Sequence, residues 1–348
     1  MYVLWSVLII WGTVKNNFRV KISSFAKTFI ISFVAFCSFC LIMGLFNETY
    51  FSANYLFVLA VPLLVTLAAD MYANMEQDLL NQLAILYLIC SITFAVWVQI
   101  VYFPSYLDWL DARSYMFGQK NSAGQIWCSA IFITMFFINY KGRLIKYIAY
   151  IGAFYLFIMT AIVQCRTALL GLIVAIAAYA ISKSQHKIRL ILILLLLLVG
   201  VMFIPFVKDF IEQALLLSKY EASGADINTF SSGRLDYYEE ALFHIISSPI
   251  IGVGKYYVDC SYLSILAESG LIGFCIIEIV LLKKIVQCYE LSKKWTVIFF
   301  MTFFYMIESL LEGFPPFGPG VSSFMFWFLS EVLYDKNAAE RKTNEVVC

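Results

Sequence analysis

Runs of about 20 apolar residues recur along nearly the whole chain, and they constrain the fold before anything else does. Of the 348 residues, 62% are hydrophobic and only 14% charged, with a mean hydropathy of +0.84. A soluble domain is nearer about 45–50% apolar and about 25% charged. A chain of this length cannot hide so much apolar surface from water, so its natural solvent is a bilayer. Backbone groups in lipid must pair internally, and no stretch alternates with period two over barrel-strand lengths. The expected class is therefore all-α, a polytopic transmembrane helical bundle formed by residues 1–348 as one integral membrane domain.

Eleven spans are expected, near 1–14, 27–46, 55–71, 79–103, 121–140, 145–164, 167–182, 189–207, 260–282, 295–312 and 319–334. Lysine and arginine asymmetry orients them with the N-terminus outside and the C-terminus cytoplasmic. The inner segments then hold most of the 24 basic residues, including Lys15, "KGRLIK" at 141–146, Lys283, Lys284, Lys293 and Lys294. Arg113, Lys120, Arg166, Lys208, Lys219, Arg234 and Lys255 stay outside. The loop "DMYANMEQD" at 70–78 carries no Lys or Arg and leaves the third and fourth spans unsupported. The N-terminus lacks a basic start and a small-residue cleavage site, so no removed signal peptide is expected. Net charge is +1 and no basic tract appears, which argues against a nucleic-acid partner. Cys37 and Cys40 form C-x-x-C inside a span, with no second pair and no nearby histidine. Small buried thiols are the default reading there, and no metal site is expected.

Residues 208–259 form the longest polar segment, an extracytoplasmic loop between spans eight and nine. After "SSG", Leu235, Tyr238, Leu242 and Ile245 share one helical face, with Asp236, Glu239 and Glu240 largely opposite. Ser232 or Gly233 can cap this helix, Asp236 suits its first turn, and Pro249 ends it. An amphipathic helix lying at the membrane surface is expected, apolar side inward. Arg234 at its start, beside free N–H groups, suits a phosphate or diphosphate, or is a solvated surface arginine.

Arg166, in "IVQCRTALLGL", stands between two spans with almost no loop, so it snorkels to headgroups or has an anionic partner. Lys120, Asn121 and Gln125 in "FGQKNSAGQIW" either face a polar ligand or make an ordinary polar start to a span. In "GVGKYYVDCSYLSILAESGLIGF", Asp259 opens the ninth span and Glu268 lies roughly 12 Å deeper if the chain is helical. A carboxylate at that depth needs a cavity or a partner. Glu308 and Glu312 share one face of the tenth span.

Four stretches together resemble the O-antigen polymerase and ligase family (Wzy type). They are "GQKNSAGQ", "QCRTALLGL", "SSGRLDYYEEAL…SPIIGVG" and "SYLSILAESGLIGF", in order, over about residues 115–330. The resemblance implies a bacterial inner-membrane glycosyltransferase of GT-C-like helical fold, without cofactor or metal. Its substrate would be an oligosaccharide on polyprenyl (undecaprenyl) diphosphate, in O-antigen, capsule or exopolysaccharide synthesis. A chain-length regulator and a flippase are the expected protein partners. By the same resemblance Arg166 and Arg234 hold the diphosphate. Lys120, Asn121, Gln125, Ser232, Gly233 and Tyr237 would face substrate, as would Lys255, Tyr262, Glu268, Glu308 and Glu312. Ligases of the family usually carry His-Asn just before "YL", where this chain has Asp259 and Cys260 in "VDCSYL". The departure favours a repeat-unit polymerase, with Asp259 as a base toward the acceptor hydroxyl or as an ion-pair anchor. A ligase and a non-enzymatic transporter or flippase are the alternatives. A transporter often shows repeated halves, and none is visible here.

Overall fold

The computed structural model describes residues 2–15, 17, 22–72, 77–102, 120–135, 142–186, 188–189, 233–318 and 322–347. Most of the expected eighth span, residues 208–232 of the outer loop, and Ser232 lie outside the described residues, as does the end of the fifth span. Among the described residues the structure is helical, without strands. The helices are α1 (Tyr2–Lys15), α2 (Ser24–Gly44), α3 (Asn54–Val58), α4 (Ala60–Met71), α5 (Gln77–Tyr102) and α6 (Lys120–Ile133). There follow α7 (Arg143–Ile162), α8 (Arg166–Lys183), α9 (Arg234–Ser247), α10 (Ser261–Ser292), α11 (Thr296–Leu311) and α12 (Phe324–Val347). A short 3-10 turn, Glu48–Ser52, precedes α3.

Six helical segments are long and apolar enough to cross a membrane: Ser24–Gly44, Glu48–Met71, Gln77–Tyr102, Arg143–Ile162, Arg166–Lys183 and Ser261–Ser292. The helices at the expected first and tenth spans are shorter, α1 at 14 residues and α11 at 16. The described residues thus support six candidate spans rather than the eleven expected. Large apolar side chains remain exposed along these helices, Ile31, Leu41, Trp97, Ile100, Ile151 and Phe154 among them. In water such surfaces would drive association; in lipid they are the ordinary outer face.

The chain divides into two compact units, Met1–Asn81 with Asp236–Cys348, and Gln82–Leu235. In the first, α2 packs on α10, and α4 packs on α1 and α12. Ser23 caps α2 by accepting the Ala26 N–H at 3.0 Å. Trp327 is fully buried and lies against the rings of Phe25, Phe29 and Phe317 at 6.1, 5.6 and 5.6 Å between centroids. In the second unit α6 packs on α7 and α8. Fully buried Trp127 meets the Phe94 ring at 5.7 Å, and Tyr155 donates to Gln99 Oε1 at 2.7 Å.

Lys284, counted from sequence among the inner basic residues, is fully buried and pairs with Glu331 at 3.0 Å. Cys37 is half-buried and Cys40 buried, both as free thiols.

Candidate functional site

In the second unit, the polar starts of two apolar helices meet. α7 and α8 are joined only by Val163, Gln164 and Cys165. So tight a reversal puts Gln164 in the left-handed region, φ 54°, an uncommon conformation for a non-glycine residue. Gln164 is buried, Cys165 N–H donates to Thr160 O at 3.2 Å, and Arg166 N–H donates back to Gln164 O at 3.0 Å. Arg166 is thereby fixed as the first residue of α8, half-buried.

Gly124 of "KNSAGQ" lets α6 approach this turn. A Cβ there would sit 2.6 Å from Cys165 Sγ and 2.8 Å from Ala168 Cβ. The approach places Asn121 Oδ1 3.7 Å from Cys165 Sγ, one residue from Arg166. Lys120 begins α6, partly exposed, and Gln125 is buried on it. The fourth contributor is Arg234, close enough to Arg166 that each guanidinium feels the other's charge. Lys120, Asn121, Arg166 and Arg234 therefore all belong to the unit that joins the α6 and α8 starts.

Arg234 opens α9, directly after Gly233 at φ 80°. On α9, Arg234, Tyr238 and Ile245 are half-buried and Ala241 is fully buried. Leu235 and Leu242, which share the expected apolar face with Tyr238 and Ile245, are exposed from the protein together with Phe243 and Ile246, and Tyr237 is exposed too. Tyr238 donates its hydroxyl to Asp259 O at 2.7 Å. The Asp259 carboxylate accepts from the Tyr257 hydroxyl at 2.8 Å. Lys255 is exposed in the same loop.

The two glycine motifs of the first unit prove to be halves of one device. Gly270 has φ 59° and ψ −165° and breaks α10. A continuous helix would pair Leu271 N–H with Ala267 O and Ile272 N–H with Glu268 O. Instead Leu271 donates to Pro249 O at 2.9 Å and Ile272 to Ile250 O at 3.1 Å. Ala267 O and Glu268 O accept from Val253 and Gly254, at 2.9 and 3.0 Å. The "SPIIGVG" loop thus exchanges four hydrogen bonds with the broken helix, pairing the two amides and two carbonyls of α10 that the break releases. Backbone contact this close excludes side chains: a Cβ at Gly252 would lie 2.5 Å from Glu268 O, and one at Gly270 2.4 Å from Ile250 C.

Glu268, fully buried, uses its carboxylate on the first third of the chain. It accepts from Asn54 N–H and Asn54 Nδ2 at 2.9 Å each, and from Tyr55 N–H at 3.0 Å, capping the start of α3. Tyr50 straps the loop from the same side, donating to Gly252 O at 2.8 Å. Glu268→Ala is expected to leave the buried Tyr55 amide and the part-buried Asn54 amide unpaired, at about 1–3 kcal/mol each. Glu268→Gln keeps one acceptor oxygen and is expected to lose about half as much; thermal unfolding of the solubilised protein measures both.

The remaining acidic residues lie beside this device. Glu308 is fully buried and Glu312 nearly so. Ser261 Oγ lies 3.0 Å from Glu312 O and 2.7 Å from Pro315 O. Tyr55 donates to Gly313 O at 2.6 Å, and Tyr262 is half-buried with its hydroxyl 3.4 Å from Ser309 Oγ. Gln164 and Tyr257 go unmarked in the sequence, and Tyr238 is marked there only as part of an apolar helix face. The near-absence of a loop between two spans was the available signal for Gln164; Tyr257 follows Tyr256 with nothing to single it out.

Residues 151–277 match the family model described as O-antigen ligase, which supports the resemblance to the O-antigen polymerase and ligase family. The match runs from α7 into α10 and takes in Arg166, Arg234, Asp259 and Glu268, but neither the "KNSAGQ" start of α6 nor Glu308 and Glu312. It is narrower than the 115–330 expected from sequence. No curated protein matches the chain.

Proposed function

We propose, with the O-antigen ligase match over residues 151–277 as premise, that this membrane protein polymerises oligosaccharide repeat units carried on polyprenyl diphosphate. The reaction takes place at the outer face of the bacterial cytoplasmic membrane, with the N-terminus outside. The observation that carries the reading is the nearness of Arg166 and Arg234. Two guanidiniums held near each other repel, and a diphosphate bridging them converts that repulsion into attraction for both.

The chemistry assigned to the chain is glycosyl transfer. An acceptor hydroxyl attacks the anomeric carbon of the donor, the carbon–oxygen bond to the diphosphate breaks, and polyprenyl diphosphate departs. Negative charge grows on the departing diphosphate, so arginines facing it stabilise the transition state more than the ground state. The hydroxyl proton needs an acceptor, and Asp259 is assigned that role, its carboxylate oriented by Tyr257. Asp259→Asn keeps the shape and removes the base. It is expected to lower polymer yield by on the order of 10²-fold without changing membrane insertion; unaltered chain synthesis would remove Asp259 from the mechanism.

The family model's own description supports a second reading, a ligase that moves finished glycan to another acceptor. The saccharide profile of a deletion strain separates the two. Single repeat units mark a lost polymerase, and long chains stranded on the carrier mark a lost ligase. Purified protein given lipid-linked repeat units tests both against transport, since movement without new glycosidic bonds would overturn either enzymatic reading.

A further inference from the structure

The first unit holds a buried polar cluster that the proposed reaction does not use. Lys284 of α10 is fully buried and donates to Glu331 Oε2 and Gln287 Oε1, both at 3.0 Å, beneath the faces of Phe25 and Trp327. Gln287 Nε2 returns a bond to Glu331 Oε2 at 2.9 Å, and Ser23 Oγ donates to Glu331 Oε1 at 2.9 Å. Glu331 is thus matched charge for charge, with both oxygens engaged.

Asp70, in the last turn of α4, is not so matched. It is 7% exposed, and its Oδ2 accepts the Ser23 N–H at 2.8 Å. Its Oδ1 is buried with no hydrogen-bond partner, and no described cation pairs with it. One turn earlier on the same helix face, the Thr66 hydroxyl is fully buried and likewise without a partner. The charged groups around Asp70 do not supply the missing partner. Glu331 and Asp335 of α12 add like charge, Lys336 of α12 donates to Gln77 Oε1 at 2.9 Å, Lys15 of α1 and Lys27 of α2 are exposed, and Lys284 is committed to Glu331. A buried carboxylate in this state is strongly disfavoured unless a positive charge joins it.

We propose that Asp70 and Thr66 form a site for one small monovalent cation, seated on Asp70 Oδ1 and delivered as a proton or as a sodium-sized ion. The cation completes the polar cluster that ties α4 to the start of α2 and to α12. The thermal midpoint of the purified full chain then depends on that cation.

The test measures the midpoint in detergent along two arms. One exchanges sodium chloride for choline chloride at fixed pH and ionic strength; the other raises pH in choline chloride. The wild type should lose several degrees in one arm: on sodium withdrawal if the cation is sodium, on raising pH if it is a proton. Asp70→Asn, neutral and of the same shape, should respond in neither arm and should match or exceed the wild type where the wild type is weakest. Glu331→Gln, which strands Lys284, should lower the midpoint in all conditions. Equal responses of wild type and Asp70→Asn in both arms would mean that only water meets Oδ1, and would overturn the proposal. So would a uniform loss in Asp70→Asn across all conditions, the mark of a carboxylate held by ordinary hydrogen bonds.

Discussion

Arg234→Ala, in a chain that still inserts, is expected to cut polymer formation by on the order of 10²-fold or more, and Arg166→Ala by a similar factor. The reason is positional. Arg166 is fixed at the first residue of α8 by the three-residue turn through Gln164, and Arg234 by its place at the start of α9. Each would face the departing diphosphate when its charge is greatest, and a hundredfold loss corresponds to about 3 kcal/mol of transition-state stabilisation. Because both would act on one diphosphate, the double variant should lose much less than the product of the single losses. Lysine at either position restores charge but not the planar two-pronged donor, so rescue should be partial. The length distribution of extracted polysaccharide, read beside an immunoblot for the membrane-inserted chain, gives the answer. Normal chain lengths from Arg234→Ala would remove the leaving-group role from this residue.

What was legible in the sequence depended on whether the informative contact was local. The near-absent loop before Arg166 and the glycine before Arg234 are local signals, and the structure has the turn and the helix start where they were expected. Of the expected apolar face of α9, Tyr238 and Ile245 are half-buried while Leu235 and Leu242 are exposed. In a chain whose outer surface is itself apolar, hydrophobicity does not separate the protein-facing side from the lipid-facing side. Glu268 was rightly identified as a carboxylate in need of partners. Those partners, Asn54 and Tyr55, lie 214 and 213 residues away, beyond any pattern of spacing. The partner of buried Lys284, Glu331, is 47 residues on and equally out of reach of spacing. The break at Gly270 was hidden within an apolar run that reads as an uninterrupted span. Nor did the sequence reveal that "GVG" and "ESGLIG" are complementary, because a hydrogen-bond exchange between backbones leaves no mark on side-chain chemistry except the glycines themselves.

That exchange makes Gly270→Ala the most consequential substitution outside the arginine pair. The backbone there, φ 59° and ψ −165°, lies next to a region that only glycine occupies comfortably, and strain of this kind costs about 1–3 kcal/mol. The new methyl would also lie 2.4–2.5 Å from the backbone of Ile250 and Ile251, which are not flexible side-chain ends. The variant nevertheless has an alternative to unfolding. If residue 270 turns helical, Leu271 and Ile272 can donate to Ala267 and Glu268 in the ordinary way, and α10 becomes continuous. Pro249, Ile250, Val253 and Gly254 then lose all four of their partners together. The expected product is an inserted protein whose 249–254 loop has come away from α10, loosening the stretch of chain that leads from α9 to Asp259. Polymer synthesis should fall to background while the amount of membrane-inserted chain stays within about twofold of normal, since a continuous helix satisfies the bilayer at least as well. Limited proteolysis should cut within 249–256 in the variant and spare the wild type. Gly252→Ala attacks the same contact from the other side and should share the phenotype, because its methyl would meet Glu268 O and Gly270 N. Wild-type activity and protease resistance in both variants would show that the exchange is not what holds the loop in place.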